Sequence, residues 1–194
     1  MIEIRTDRLL LRQWRQDDLA PFAALNADPE VMRYFPALLS REESDGMAHR
    51  CGDLIEARGW GFWAVQEQAT GAFIGFIGLH TPAPELPCSP CVEVGWRLLK
   101  SSWGKGLATE GAAASLRYAF DTLKLAEVVS FTSVHNLRSE AVMQRLGMQR
   151  DPSTFAHPSL PRGHWLSEHC LYRLTSRNKH EARLPPTHSH HPLS

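Results

Sequence analysis

Trp103-Gly-Lys-Gly-Leu-Ala-Thr-Glu110 stands between a strand-like run, Cys91-Val-Glu-Val-Gly-Trp-Arg-Leu-Leu99, and a long helical one, Leu107 to Leu123. Two glycines one residue apart let the backbone turn so that successive N–H groups converge on one point. The start of the helix adds partial positive charge there, and Lys105 adds a full one. Together they form an anion cradle suited to a pyrophosphate. The motif is not a dinucleotide fingerprint, since a third glycine and a downstream acid are missing. It is not a P-loop either, since no Gly-Lys-Ser/Thr closes it. A plain glycine turn beside a solvated lysine would read the same way, so the surroundings decide.

Upstream, Arg8-Leu-Leu-Leu-Arg-Gln-Trp14 reads as a first strand. Asp17-Asp18 opens a helix that buries Leu19, Phe22, Ala23 and Leu25, and Asp28-Pro-Glu30 starts a short second helix. Ser40-Arg-Glu-Glu43 has the form of a capping box, in which each side chain satisfies the other residue's free amide. Met47, Cys51, Leu54 and Ile55 follow at helical spacing up to Gly59. Phe62 to Val65 and Phe73 to Leu79 flank Gln68-Ala-Thr-Gly71 as a hairpin. Downstream, Ala126 to Ser133 is a β-branched strand and Ser139 to Leu146 a short helix closed by Gly147. Met148 to Arg150 and Cys170 to Leu174 are the last strands, on either side of a Pro/His-rich loop. The order gives a mixed α/β sheet with helices on its faces. The domain spans residues 1–176, and the polar, Pro/His-rich stretch 177–194 reads as a disordered tail.

Lys+Arg and Asp+Glu balance at 21 each, so net charge points to neither nucleic acid nor an anionic membrane. No apolar run approaches the roughly 20 residues of a membrane span, and the N-terminus is too charged for a signal peptide. A cytoplasmic protein with thiols at Cys51, Cys88, Cys91 and Cys170 is expected. Cys88-Ser-Pro-Cys91 has half the spacing of a metal site but no second pair, and the His188, His190 and His191 tract lies in the tail, so no metal is expected.

Three separated motifs occur in order. They are Thr6-Asp-Arg-Leu-Leu-Leu-Arg12, then Val92 to Leu98 leading into Trp103 to Glu110, then Asn136-Leu-Arg-Ser139 ahead of Val142-Met-Gln-Arg-Leu-Gly-Met148. In this the chain resembles Gcn5-related N-acetyltransferases (GNAT) of the RimJ/RimL type, over about three-quarters of its length. Ser101 and Lys100 depart from the family's usual residues before the first glycine, without removing a backbone donor.

The resemblance implies a single GNAT-like domain whose mixed, mostly antiparallel central sheet has splayed central strands. It implies acetyl-coenzyme A as co-substrate, its pantetheine along the strand of Trp96 and Leu98. Its pyrophosphate would lie on the amides of Gly104, Lys105, Gly106, Leu107 and Ala108, with Trp103 and Thr109 also cofactor-binding and with Asn136, Ser139 and Met143 lining the other side. Ser139 would protonate the leaving thiolate, although Asn136 and Ser139 also suit a plain helix start. Glu93 is the first choice of base, since related enzymes use a carboxylate on that strand. It could instead face solvent or pair with Arg97, and His80 and His135 are alternatives. A developing oxyanion calls for an N–H near Trp96. Phe35, Trp60 and Trp63 are candidates for the amine pocket or for core.

The implied activity is direct acetyl transfer to a primary amine, either a protein N-terminus or a small molecule, by a monomer or homodimer. A net acidic acceptor groove would favour polyamines. The reading from another class is a non-catalytic acyl-coenzyme A sensor or docking module. An intact cradle suits both, whereas a usable base separates them.

Overall fold

The computed structural model describes residues 2–179. The strands are β1 (Ile4–Arg5), β2 (Leu9–Arg12), β3 (Phe62–Glu67), β4 (Phe73–His80), β5 (Glu93–Leu98), β6 (Glu127–Ser133), β7 (Gln149–Arg150), β8 (Phe155–Ala156) and β9 (Glu168–Thr175). They form one sheet in the order β1-β2-β3-β4-β5-β6-β9-β7, with β8 also on β9. Every pairing is antiparallel except β5 with β6. The helices are α1 (Leu19–Asn26), α2 (Arg41–Arg58), α3 (Leu107–Arg117) and α4 (Leu137–Arg145).

Alternation along the strands divides the interior in two. Trp63, Val65, Ile77, Leu79 and Val94 pack with Leu116 of α3 and Met143 of α4. Ala64, Phe73 and Phe76 pack with Phe22 and Leu25 of α1 and Ala48 of α2. Arg12 and Asp18, both almost wholly buried, lock the start of α1 onto β2 through two bonds of 2.8 and 2.9 Å. Ser40 accepts the Glu43 amide at 3.1 Å and Gly59 ends α2 in the left-handed conformation.

Several elements differ from the sequence expectations. No helix forms at Asp28-Pro-Glu30; this stretch is a run of turns. The Asp28 carboxylate takes the Glu30 amide at 2.9 Å as an N-cap would, but one i→i+4 bond follows, Met32 N on Asp28 O at 3.0 Å, and the turn does not propagate. Leu54 is exposed rather than inward, and Ser44 and Ala48 join Cys51 and Ile55 on the buried face of α2. α3 passes into a wider π-helical turn over Tyr118–Thr122. The stretch of the expected tail beyond Lys179, with His188, His190 and His191, lies outside the described residues.

Candidate active site

β5 and β6 register at a single pair, Glu93 with Val129, supported by the Val129 amide on Val92 O and the Ser130 hydroxyl on Val94 O, each 2.9 Å. Beyond that point the strands part, while β5 stays paired to β4 as far as Leu98. Trp96 and Leu98 therefore lie on the β5 arm of a V-shaped opening. The cradle and the start of α4 follow the two arms.

In the cradle Gly104 and Gly106 have φ of 72° and 76°, a region other residues enter at a cost. Among the described residues, none of the amides from Gly104 to Thr109 has a protein acceptor. The first to find one is Glu110, which closes onto Gly106 O at 3.0 Å. A methyl group built at Gly104 meets no heavy atom within 4 Å, so the loop faces open space. Lys105 is exposed, and the Thr109 hydroxyl is buried without a partner. The residues present thus fit an anionic, multiply accepting group.

The loop is held from behind. Glu110 accepts from Thr6 Oγ1 at 2.6 Å, the Arg8 amide at 2.9 Å and Arg8 Nε at 2.7 Å, while Arg8 Nη1 reaches Lys105 O at 2.8 Å. Burial acts to raise the Glu110 carboxyl, but the bonds from Thr6 and Arg8 together hold it below the usual range.

Across the opening, Asn136 caps α4 by accepting the Ser139 amide at 3.3 Å. Its side-chain amide donates to Thr132 Oγ1 and Ser139 Oγ, each at 3.1 Å. The Ser139 oxygen is thus an acceptor in this network, which leaves its own proton to give. Arg138, to which sequence reasoning gave no role, lies 3.8 Å over the Trp103 ring and adds a second cation beside the cradle. Leu98, Leu107 and Met143 are buried in the core, so they back the opening rather than line it. Trp96, Trp103, Ala108 and Thr109 are half-buried.

On the α1/α2 side of β5, Glu93 sits at the apex of the V, opposite His80 on β4. Burial pushes its carboxyl up to about 8, and among the described residues no ion pair compensates. The pair weighed between Glu93 and Arg97 does not form: Arg97 Nη1 instead donates to Asn26 Oδ1 at 2.8 Å. Burial lowers the pKa of His80, with Arg58 nearby adding to the effect, and its ring stacks on Phe62 at 4.9 Å. A cavity of about 690 Å³ opens beside Arg97, bounded by Met32, Phe35 and Leu39 after α1 and by Met47 of α2. Its lining carries Glu42 and Glu43 against Arg50 and Arg97, so it is not net acidic. Trp63 is core, and Trp60 lies under the Arg58 guanidinium.

His135 is exposed and packs 5.6 Å from the exposed Trp165, which also approaches Tyr34 at 6.3 Å. The Pro/His-rich loop thereby leans toward the cap of α4. Cys88 and Cys91 lie 3.1 Å apart, but burial and the neighbouring thiol push Cys91 up to about 12, far from a reactive thiolate. Among the described residues no helix is long and apolar enough to cross a membrane.

A family model described as an acetyltransferase (GNAT) domain matches residues 8–149. The FsC-acetyl coenzyme A-N(2)-transacetylase of Aspergillus fumigatus is 35% identical over 133 residues, covering 64% of this chain and 55% of that protein. The uncharacterized N-acetyltransferase YoaA of Bacillus subtilis is 26% identical over 150 residues, covering 76% and 83%. The crystal structure of an acetyltransferase from Agrobacterium tumefaciens matches with a TM-score of 0.73 at 29% identity, covering 90% of this chain and 94% of that one.

Proposed function

The chain belongs to the acetyltransferase (GNAT) domain family, and we propose that it transfers an acetyl group from acetyl-coenzyme A to a primary amine by direct attack. The observation that carries this reading is the run of amides from Gly104 to Thr109 without protein acceptors, held in shape by Arg8 and Glu110. The relative whose name includes acetyl coenzyme A supports the same donor. When bound, acetyl-coenzyme A supplies a thioester carbon open to attack by nitrogen.

The remaining chemistry falls to this chain's residues. Lys105 and Arg138 add positive charge around the cradle amides. The edge of β5 from Val94 to Leu98, unpaired on the β6 side, suits strand-like pairing with an extended amide chain. Glu93 takes the proton the amine must lose; a carboxyl titrating at about 8 is a stronger base than an ordinary glutamate. Ser139 donates its proton toward the leaving sulfur while Asn136 holds its oxygen. The N–H groups near Trp96 are suited to a developing oxyanion.

The acceptor is a protein N-terminus, as in the RimJ/RimL type, or a small amine, with residues 1–176 as the catalytic unit in the cytoplasm. The non-catalytic sensor is the weaker reading, because a raised carboxyl at the apex and an open cavity beside β5 are features a sensor does not need. Thiol release from acetyl-coenzyme A, followed over peptides and small amines, tests the proposal. Release with at least one amine is expected, and none with any amine would leave only the sensor.

A further inference from the structure

Arg97 is the polar feature of β5 that the proposed chemistry does not use. Its side chain lies on the same face of the strand as that of Glu93, four residues earlier, since strand side chains alternate. The guanidinium stands 4.2 Å over the Phe35 ring and 5.3 Å from that of Phe76. Among the described residues only Nη1 has partners, Asn26 Oδ1 at 2.8 Å and the Met47 sulfur at 3.9 Å. Nε is buried and meets no acceptor, and among the described residues Nη2 meets none either. Glu42 and Glu43 line the same cavity, yet neither forms an ion pair with Arg97 among the described residues.

A guanidinium drawn out of water without a counter-ion is costly, and so is a buried N–H without an acceptor. The first cost falls if an oxyanion meets Nη2, the unpartnered guanidinium nitrogen that, unlike Nε, is not sealed from solvent. The aromatic rings and Asn26 fix the guanidinium so that Nη2 is held in one orientation. The Cys51 thiol nearby is pushed up to about 11 by burial and stays neutral, so it supplies no anion.

We propose that Arg97, at the wall of the cavity between α2, the loop after α1 and β5, binds the carboxylate of an acceptor that carries both an amine and a free carboxylate. The proposal rests on the transferase reading and narrows its acceptor to amino-acid-like molecules. The carboxylate docks on Nη2 while the amine reaches back along β5 toward Glu93. The two Cα atoms are about 13 Å apart at strand rise. The balanced charge of the cavity gives no comparable reason for a polyamine.

The test is calorimetric titration of the coenzyme A-loaded protein with matched acids and amides. The acids are the common L-amino acids, β-alanine and longer ω-amino acids, each against its own amide, and thiol release from acetyl-coenzyme A is followed on the same pairs. At least one acid is expected to bind about tenfold or more tightly than its amide. Arg97→Gln should erase that difference and leave coenzyme A affinity unchanged, while Arg97→Lys, which keeps charge but loses the planar group held by Asn26 and the rings, should recover only part of it. Equal binding of all acids and amides by the native protein, or a preference that survives Arg97→Gln, overturns the carboxylate site. The native comparison stands even if a variant misfolds. Acid preference without thiol release would sink the transferase reading and keep the site. Thiol release with amides preferred would do the reverse.

Discussion

Arg8 and Glu110, 102 residues apart in sequence, are joined by two guanidinium contacts of 2.7 and 2.6 Å and by a backbone amide bond of 2.9 Å. The pair ties the turn between β1 and β2 to the first turn of α3, and with it the loop that presents the cradle amides. Because Arg8 is half exposed, the ion pair itself adds little to stability, and its value lies in geometry. Glu110→Gln is expected to weaken acetyl-coenzyme A binding by about three- to tenfold, with a melting temperature close to the native value. Calorimetry and a thermal melt on the same preparation check both.

Ser139→Ala should lower kcat by about a hundredfold while the Kd of acetyl-coenzyme A stays within about twofold. Asn136 keeps Thr132 and the residue 139 amide as partners in this variant, so α4 keeps its cap. An unchanged kcat would remove Ser139 as the proton donor.

Glu93 makes activity and stability respond to pH in opposite ways. Its carboxyl titrates at about 8 in the folded protein against an ordinary 4.5, because burial disfavours the anion. Its favourable contribution to folding is therefore full below about 4.5 and lost as pH rises through about 8. Turnover needs the anion and should climb through the same region. Glu93→Gln should lower kcat about a hundredfold, flatten the climb and melt higher than native protein at pH above about 8. An inflection below 6.5 instead would transfer the base role to His80, whose pKa is lowered by burial.

Arg12 and Asp18 form a bidentate pair with almost no exposure. Asp18→Ala should cost about 3–5 kcal/mol, since it leaves a buried guanidinium without its anion. Replacing both residues with apolar ones, Arg12→Met with Asp18→Leu, should recover much of the loss in chemical denaturation.

Legibility in the sequence followed how local each signal was. The cradle could be read because glycine spacing, a lysine and the switch from strand to helix period fall within eight residues, Trp103 to Glu110. The Asn136 cap and the Gly59 and Gly147 helix ends are equally local. β1 and β8 escaped because two residues show no alternation, and they exist only through pairing with β2 and β9. The expected helix at Asp28 stopped at one turn: the cap bond from Glu30 to Asp28 formed, but a segment this short cannot recover the cost of nucleation. The Arg97 cluster was illegible for a different reason. Asn26, Phe35, Met47 and Arg97 come from three elements and a loop, and only the folded chain brings them together. Glu93 and Arg97 invited an ion pair by spacing, but Asn26 drew the guanidinium away.

The measurement that bears most directly on the central claim is calorimetric titration of acetyl-coenzyme A into native protein, Gly104→Val and Gly71→Val. Gly71 shares the left-handed backbone, at φ 72°, and likewise has open space around an added methyl group, but it lies in the β3–β4 turn away from the cradle. Both variants should lose about 1–2 kcal/mol of stability to the backbone conformation. Native protein and Gly71→Val should bind alike, and Gly104→Val should bind about a hundredfold more weakly or not at all. Equal affinity in all three proteins, or no binding by the native one, would contradict the assignment of the cradle to coenzyme A.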